Sequence, residues 1–482
     1  MLVLACAPVS TFERTVAAPS GGIERRPWRN WAGDVRCTPE LTFEPGSVED
    51  LAAIVRFAVG TDRKVRVVGS GHSWSALVPT DDVLVRVGRL DRVYVDGVGT
   101  EHPRVVIESG ATVKQVNDVL ERAGLALPFN VVLESVRFGG LIATGSHGSG
   151  WHQRTLSDLV HAIEVVTAAG EIRHFERGID PDRTMRAVCV SLGTFGVIWR
   201  VTLDVVPTFR VRAVDRRVPL AEALERVAEW VPSHDNCDLF WWPFTEQVWV
   251  KTWDRTEAPA TAKPRASRVE AARSRVEAHV LDGALSLSRR IPRCTPMVSR
   301  SAFRNTPSQG DKVVDVVEAI HYRRSIEITA MGCVEIAFKV ENDDFDGVRF
   351  AIGEAVAAVR RWAAAGRYPM NVTLNVRFIH DSGCLLSPAS GDGHTCYVEI
   401  LARTRQRDWH EFSAEVASAW LTLPRARPHW AKEHRHLPGI VEHVRAAYGA
   451  ELDEFRRVRS ELGVDPDDTF VNEAVGELLF DR

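Results

Sequence analysis

The chain has 482 residues, of which 45% are apolar and 26% are charged, a composition typical of a folded protein with two or three domains. Lysines and arginines (60) nearly balance aspartates and glutamates (64), so the net charge of -4 offers no general attraction to nucleic acid or anionic membranes. No window approaches the roughly 20 continuous apolar residues of a membrane-spanning helix, and we expect no span. The eight cysteines form no C-x-x-C pair, which argues against a zinc ribbon and favours a reducing, cytoplasmic location.

The first predicted elements alternate helices and strands. Residues 1–27 are predicted to form a poorly ordered extension, because chain termini are commonly disordered. Ser47 and Asp50 fit a capping box that starts a helix, and Pro207 closes the last strand of this part. This α+β rhythm predicts a first domain over residues 28–210. We expect strands at 63–68, 83–87, 105–108, 162–167 and 197–206 in this domain, and a second helix at 113–123.

A second domain, with a different amino-acid composition, is expected over residues 211–420. It begins with the run FWWPFTEQVWVKTW, a strand-like segment whose tryptophans either pack a core or line a pocket. Residues 256–304 are rich in Ala, Arg and Ser, and we predict a surface insertion containing a helix with flexible flanks. Acidic residues interleaved with the basic ones argue against nucleic-acid binding there. The remaining expected elements are strands 327–338 and 371–379, helix 348–362 and a C-terminal segment over 421–482.

Two segments of small residues suggest a long anionic ligand. The first, VVGSGHS, runs from Val67 to Ser73, and its glycines would let backbone N–H groups approach a pyrophosphate closely. Its glycine spacing is not that of a Rossmann turn, and by itself its histidine is most simply a turn or surface residue. The second segment, GGLIATGSHGSG, runs from Gly139 to Gly150.

These segments belong to a longer series of motifs that resembles one protein family, the FAD-linked oxidases of the vanillyl-alcohol oxidase type. Within that family the resemblance is to aldonolactone and alditol oxidases. The motifs are WRNWAG, VxGxGHS, ATGSHGSG, SLGTFGVI, WxPFTE, VRF and RPHWAK. Each is a weak signal alone, but they occur in the family's order across nearly the whole chain. The resemblance implies a PCMH-type FAD-binding domain at 28–210, an α+β cap domain at 211–420 and a C-terminal segment that returns to the flavin.

The resemblance also implies how FAD is held. His72 would form a covalent bond to the 8α-methyl group, which raises the reduction potential of the flavin and favours substrate oxidation. The second segment has no cysteine where doubly linked relatives carry one, so we expect one covalent bond only. The pyrophosphate would be cradled by Gly69, Ser70, Gly71 and Ser73. The flavin and its ribityl chain would be lined by Gly140, Thr144, Ser146, His147, Gly148 and Ile198.

The catalytic groups are expected from the cap and the C-terminal segment. Relatives carry Glu-x-Arg on a strand facing the flavin, whereas this chain has Asn375 and Arg377. The arginine would stabilise negative charge on the developing alkoxide and on the reduced ring. An asparagine can orient a hydroxyl group but cannot accept its proton, so either the base lies elsewhere or the substrate differs. Glu399 lies near the position where alditol-oxidising relatives place a histidine, and it is either the base or a solvated strand residue.

Two further residues match family positions. Glu335 would be a second carboxylate of the pocket, and Lys432 would favour the anionic reduced flavin. The histidines of the same C-terminal region, His429, His434 and His436, do not share one helical face or a zinc-site spacing, and we expect no metal. The GSG stretch near residue 149 does not supply the nucleophile elbow of a Ser/His/Asp hydrolase.

The leading hypothesis is a FAD-dependent oxidoreductase that takes a hydride from a carbinol carbon of a sugar lactone, polyol or related small hydroxylated metabolite. Electrons would pass to O2 and give H2O2. One alternative is a tailoring dehydrogenase or oxidase for a sugar-derived metabolite, suggested by Asn375 and the unusual cap segment. The other is a flavin-binding protein without turnover, against which Arg377 and Lys432 argue. The sequence leaves the exact substrate, the choice between oxidase and dehydrogenase and the oligomeric state open.

Overall fold

The computed structural model describes residues 19–261, 268–321 and 329–481. Its architecture is α+β, as the sequence predicts. Most of the predicted N-terminal extension lies outside the described residues, as do residues 327 and 328 at the start of one expected strand. No helix in the described ranges is long and apolar enough to cross a membrane.

The N-terminal part contains two main sheets. One is four-stranded with the order β1-β4-β6-β5, and the other is five-stranded and antiparallel with the order β11-β10-β12-β8-β7. The strands are β1 (Ile23–Glu24), β2 (Trp28–Arg29), β3 (Arg36–Cys37), β4 (Leu41–Phe43), β5 (Val65–Val68), β6 (Val83–Arg86), β7 (Val93–Asp96), β8 (Arg104–Glu108), β9 (Leu125–Ala126), β10 (Val160–Val166), β11 (Ile172–Glu176), β12 (Val197–Asp204) and β13 (Val206–Pro207). The helices are α1 (Val48–Gly60), α2 (Val113–Arg122), α3 (Phe138–Ala143) and α4 (Asp182–Val188).

Local signals explain where two of these helices begin. The Ser47 side chain accepts a hydrogen bond from the backbone N–H of Asp50 at the start of α1, which is half of the predicted capping box. The Asp50 carboxylate accepts from the Gly46 N–H and not from that of Ser47. Thr112 and Gln115 form a complete capping box at the start of α2. By contrast, α3 occupies the beginning of the second small-residue segment, where the sequence suggested only a loop. The apolar residues of that segment give it a short buried face despite the glycines.

The rest of the chain is dominated by one eight-stranded antiparallel sheet, hereafter the large sheet, with the order β17-β14-β16-β15-β19-β20-β18-β21. Its strands are β14 (Arg210–Pro219), β15 (Asn236–Trp241), β16 (Gln247–Thr256), β17 (Gln309–Asp315), β18 (Met331–Val340), β19 (Leu374–Ile379), β20 (His394–Arg403) and β21 (Arg427–Pro428). The helices are α5 (Leu220–Ser233), α6 (Arg268–Arg290), α7 (Thr295–Arg304), α8 (Val316–Ile320), α9 (Asp346–Ala364), α10 (Trp409–Trp420), α11 (Ile440–Leu462) and α12 (Glu473–Leu479).

The aromatic run that suggested one strand is a hairpin of β15 and β16. Pro243 cannot donate a ladder hydrogen bond, and Phe244 adopts a φ of 65°, so the chain turns between the two strands. The four tryptophans of the run are buried, which favours the core-packing interpretation. In the predicted insertion, α6 and α7 are not purely superficial, because Leu285 and Phe303 are buried.

The C-terminal segment connects the two parts of the molecule. β21 pairs with β18 of the large sheet. Further along, the Thr469 carbonyl accepts a hydrogen bond from the N–H of Val65 on β5, and Phe470 packs into the core around α1. The loop after β21, which carries Lys432, is therefore held between the N-terminal part and the large sheet.

Candidate active site

A cavity of about 310 Å³ lies between the N-terminal part and the large sheet. Its lining includes all but one of the residues that the sequence predicted for cofactor and substrate. The predicted residues found in the lining are Gly69, Ser70, Gly71, His72, Ser73, Gly140, Thr144, Ser146, His147, Ile198, Glu335, Asn375, Arg377, Glu399 and Lys432. Residues more than 300 positions apart in the chain are thus brought to one space.

Gly148 is the exception. It lines a second, smaller cavity of about 20 Å³. A Cβ atom at this position would lie 2.3 Å from the carbonyl oxygen of Asn130, so the backbone is closely packed here. Close packing, and not an opening toward the large cavity, explains why a glycine is needed at this position.

The first small-residue segment forms one wall of the large cavity directly after β5. Gly71 has a φ of 69°, which favours glycine, and its carbonyl accepts a hydrogen bond from the N–H of Trp31. The Ser70 hydroxyl donates to the Ser135 carbonyl over 2.6 Å. The His72 ring stacks on Trp31 with centroids 4.9 Å apart, and its Nε2 lies 3.4 Å from the Ser135 hydroxyl. His72 is therefore held in the cavity wall by contacts on two sides.

The second segment contributes bare backbone to the same space. A Cβ atom at Gly140 would have no neighbour within 4 Å, so a side chain there would extend into open space beside the cavity wall. Thr144 donates to the Gly140 carbonyl over 2.9 Å, and its hydroxyl lies 3.1 Å from that of Ser146. Gly140 leaves open space at the cavity wall that a larger side chain would fill, and this cradle fits a bulky phosphate-containing cofactor such as FAD.

The opposite wall is a row of buried residues on the large sheet. Cross-strand pairing places Asn375 on β19 opposite Glu399 on β20, and Glu399 opposite Glu335 on β18. Phe240 on β15 pairs with Asn375 and extends the row. Directly opposed residues place their side chains on the same face of a sheet, and the two-residue period adds Arg377 to that face. The sheet register therefore builds this wall from four strands.

Cations and carboxylates alternate in this wall. The Lys432 ammonium lies 2.5 Å from Glu399 Oε1 and 3.8 Å from Glu335 Oε2. One guanidinium nitrogen of Arg377 lies 3.7 Å from an oxygen of each carboxylate. The Asn375 amide donates to Glu399 Oε2 over 2.7 Å. Two positive and two negative groups thus share one largely buried space.

The ion pairs determine the charge state of this cluster. Burial by itself would raise the pKa of Glu399 and of Glu335. The Lys432 ammonium together with the other polar neighbours of each carboxyl outweighs burial, and the pKa of both carboxyls lies below the usual range. Burial would likewise lower the pKa of Lys432, but the neighbouring acidic groups raise it above its ordinary value. All three groups are therefore ionised near neutral pH.

Hydrogen bonds orient two histidines beside the cluster. Burial lowers the pKa of His429 to about 3, so its ring is neutral, and its Nδ1 accepts a hydrogen bond from the Ala431 N–H. The proton of His429 is therefore on Nε2. His147 Nδ1 donates to the Gly148 carbonyl over 2.9 Å, which leaves its Nε2 facing Glu335 Oε1 at 3.7 Å.

The histidines considered for a metal do not form one group. His429 lies with His147 and Glu335, whereas His436 lies with His410 and Glu433. In each group the candidate ligand atoms are within 4.8 Å of one another. His434 belongs to neither group; its Nδ1 bonds the Lys432 carbonyl. His147 Nε2 lies 3.7 Å from Glu335 Oε1 in the first group, and His410 Nε2 lies 3.3 Å from Glu433 Oε2 in the second.

Sequence reasoning missed five residues on this side of the site: Phe240, Met331, Cys333, Thr373 and Leu401. The Cys333 thiol donates to Glu399 Oε1 over 2.8 Å, and Phe240 and Thr373 line the cavity. Alternation along the strands was the available signal, since Cys333 lies two positions before Glu335 and Thr373 two before Asn375.

Comparison with known proteins agrees with this geometry. The profile described as D-arabinono-1,4-lactone oxidase matches residues 201–478, and one described as FAD binding domain matches residues 39–176. The L-gulono-1,4-lactone dehydrogenase of Mycobacterium tuberculosis is 29% identical over 94% of this chain and 99% of its own. The L-gulonolactone oxidase of Scyliorhinus torazame is 28% identical over 94% and 98%, and the D-arabinono-1,4-lactone oxidase of Candida glabrata is 25% identical over 94% and 96%.

Solved structures show the same fold. A cholesterol oxidase from Brevibacterium sterolicum superposes with a TM-score of 0.80 at 16% identity, over 96% of this chain and 99% of that one. The fold, the FAD-binding profile and the family profile, which covers more than half of the chain, confirm the resemblance inferred from the motifs. The chain belongs to the D-arabinono-1,4-lactone oxidase family and is a FAD-dependent oxidoreductase that acts on CH–OH groups.

Proposed function

We propose that the protein oxidises a carbinol carbon of a sugar lactone or a related small polyhydroxylated substrate in the large cavity. The observation that carries the proposal is that the cation–carboxylate cluster of the large sheet faces the same cavity as the glycine-lined cradle. FAD bound in the cradle supplies the hydride acceptor. The names of the relatives, which are gulonolactone and arabinonolactone oxidases or dehydrogenases, favour a lactone.

The residue roles follow from the contacts in the sheet wall. Asn375 donates its amide N–H to Glu399, which directs its Oδ1 away from that carboxylate, and Oδ1 has no hydrogen-bond partner among the described residues. A buried acceptor without a partner costs free energy, so a substrate hydroxyl donating to Oδ1 would be favoured. Arg377 and Lys432 place positive charge where the substrate oxygen and the reduced cofactor gain negative charge.

Glu399 is our candidate for the group that receives the hydroxyl proton. It is ionised near neutral pH, as a base must be, and lies one hydrogen bond from Asn375. The carboxylate that relatives carry on the strand of Asn375 is thus replaced by one at the directly opposed position of the next strand. Its lowered pKa makes it a weak base, so proton transfer should accompany hydride transfer and not precede it.

The proposed shift of the catalytic carboxylate from position 375 to position 399 can be tested by exchanging the residues at these two positions. Asn375→Glu and Glu399→Asn each change the number of carboxylates in the pair, whereas the double variant keeps one carboxylate and one amide. We expect the double variant to reduce FAD faster than either single variant does. A double variant no faster than the slower single variant would contradict a shared role for the two positions.

We further propose that FAD is attached covalently through His72, with O2 as the electron acceptor. His72 is fixed in the cavity wall by Trp31 and Ser135, which supports attachment there. Acid-precipitated protein should remain yellow, and His72→Ala should release its flavin into the supernatant. Colourless precipitate from the unaltered protein would contradict the covalent bond. The cytoplasmic location stays a prediction.

The substrate class is tested by anaerobic mixing with aldonolactones and polyols while flavin absorbance is recorded. We expect bleaching by at least one aldonolactone, followed on admission of O2 by reoxidation and stoichiometric H2O2. The hydride and proton lost by the carbinol carbon and its hydroxyl balance the two electrons and two protons gained by O2. Bleaching of the flavin without reoxidation by O2 would show that the enzyme is a dehydrogenase and not an oxidase.

One observation favours a second candidate, the tailoring enzyme. Phe240, Met331 and Leu401 give the cap side of the cavity an apolar patch beside the polar cluster. A hydroxylated metabolite with an apolar part would bury that surface. Faster flavin reduction by such alcohols than by any aldonolactone would support this candidate over the first.

A further inference from the structure

A second row of the large sheet carries alternating charges up to the active site. Asp215 on β14 pairs with Lys251 on β16, and Lys251 pairs with Asp238 on β15. Because Leu239 pairs with Val376, the next residues along the two antiparallel strands, Asp238 and Arg377, face each other. Opposed side chains lie about 5 Å apart at Cβ on one face of the sheet. Four neighbouring strands thus present Asp, Lys, Asp and Arg in succession.

This row is buried, so its charges interact strongly with one another. Asp215, Lys251 and Asp238 are 7%, 4% and 6% exposed. Burial lowers the pKa of Lys251, while Asp238 and Asp215 oppose that shift. Buried charges are tolerated when they are paired or hydrogen-bonded. The Lys251 ammonium donates to the Ala319 carbonyl over 3.0 Å, Asp215 accepts from the Trp249 indole, and neighbours of opposite sign add to this.

The small cavity connects the row to the active site. It is lined by Asp238, Lys251 and Arg377, and Arg377 also lines the large cavity. Asp238 Oδ2 accepts a hydrogen bond from Asn236 over 3.3 Å, but its buried Oδ1 has no hydrogen-bond partner among the described residues. The cavity volume of about 20 Å³ is enough for one water molecule, which could bridge this oxygen to its neighbours.

Asp238 faces Arg377 from the side away from the two carboxylates of the active site. The distances of 3.7 Å from Arg377 to Glu335 and Glu399 are too long for hydrogen bonds, although both carboxylates attract it. Asp238 lies on β15, on the other side of β19 from the strands of Glu335 and Glu399. Its carboxylate attracts the guanidinium in the opposite direction, which keeps the charge available to a substrate.

We propose that Asp238 is a positioning residue that holds Arg377 in its working place through the small cavity, and that Lys251 in turn holds Asp238. The inference rests on the proposed function, because it assumes that the charge of Arg377 acts on the reacting groups. A purely structural alternative is that Asp238 only neutralises Lys251. A variant of Asp215 distinguishes these two explanations, because Asp215 is also buried and opposite Lys251 but lies three strands from β19.

The test compares Asp238→Asn with the matched control Asp215→Asn in the FAD-loaded enzyme. Anaerobic stopped-flow mixing with an aldonolactone gives the limiting rate of flavin reduction and the apparent substrate Kd. We expect Asp238→Asn to lower the limiting rate about 10-fold, a usual size for coupled neighbours, with little change in Kd. Asp215→Asn should change the rate less than about 2-fold. Equal effects of the two variants would overturn the proposal.

A double variant shows whether Asp238 acts through Arg377. In an Arg377→Met background, Asp238→Asn should have less than about a 2-fold further effect on the rate. An undiminished effect in that background would overturn the proposal. If Arg377→Met itself leaves flavin reduction unchanged, the proposed function fails at that residue. If Arg377→Met is slow and Asp238→Asn is not, only the positioning role fails.

Asp238→Glu provides a rescue that does not depend on how well Asp238→Asn folds. It keeps the charge, and the small cavity leaves room for much of the added methylene. We expect it to retain a reduction rate clearly above that of Asp238→Asn at equal FAD content. Equal losses in the two variants, with thermal midpoints unchanged, would show that the charge of Asp238 does not position Arg377.

Discussion

The two walls of the large cavity recognise their partners in different ways. The N-terminal wall combines the small residues of the two segments with apolar side chains such as Val131 and Leu133, and Gly140 borders open space. The opposite wall brings two buried carboxylates together with the partly exposed guanidinium of Arg377 and ammonium of Lys432. Backbone groups suit a cofactor that is bound in one pose, because they are fixed by the fold. Charged side chains suit a reaction, because they act on charge that develops during it.

The largest expected effect comes from removing the central cation of the charged wall. Lys432→Met removes the ammonium that lies nearest to the buried Glu399, and breaking a buried pair costs about 3–5 kcal/mol. We expect a much lower thermal midpoint and a loss of flavin reduction of about 1000-fold. Differential scanning calorimetry and stopped-flow mixing measure the two effects. A variant with wild-type stability would show that the pair is more solvated than its burial indicates.

The next largest effect is expected from Arg377, whose charge should affect the rate of flavin reduction and not the binding of FAD. Arg377→Met keeps most of the side-chain volume, and we expect flavin reduction to slow by about 100- to 1000-fold, the scale for one oriented electrostatic donor. The FAD content per chain should hardly change, because the cradle is on the other wall. Parallel loss of FAD and activity would instead make Arg377 a structural residue and weaken the contrast between the walls.

A smaller effect tests the coupling of charge to stability. The pKa of Glu399 is lowered in the folded chain, so its charge contributes stability that is full above the unfolded pKa and is lost as pH falls through the folded value. Glu399→Gln should therefore flatten the loss of stability on acidification below about pH 4.3. We expect flavin reduction to fall about 100-fold. Urea unfolding between neutral and acid pH measures the slope, and unchanged kinetics would remove Glu399 as the base.

The smallest effect on the chemical step is expected from the cradle. Gly140→Ala places a methyl group in the open space of the cavity wall, and overpacking of this kind costs about 1–3 kcal/mol of FAD binding. The rate of flavin reduction in the molecules that retain FAD should change less than about 2-fold. Gly353→Ala in α9 is a control, since its added methyl also meets nothing within 4 Å. Equal FAD contents in the two variants would contradict the cradle assignment.

Local sequence determined much of this protein. The capping signals at Ser47 and Thr112 fix where α1 and α2 begin, because they satisfy backbone groups within a few residues. The glycine requirement at Gly71 and the motifs around His72 and Lys432 were also readable, since each depends on a short stretch of chain. The order of these motifs was enough to predict the family, the cofactor and the α+β class.

Only the tertiary structure decided how the charged wall works. The pairings of Asn375 with Glu399 and of Glu399 with Glu335 depend on sheet register between strands far apart in sequence, and no local signal specifies register. The same holds for Asp238, which lies opposite Arg377 although 139 positions separate them in the chain. The pKa of Glu399 then depends on burial and on an ammonium from a third segment. Charge and register are long-range properties, so they appear only when the chain is folded.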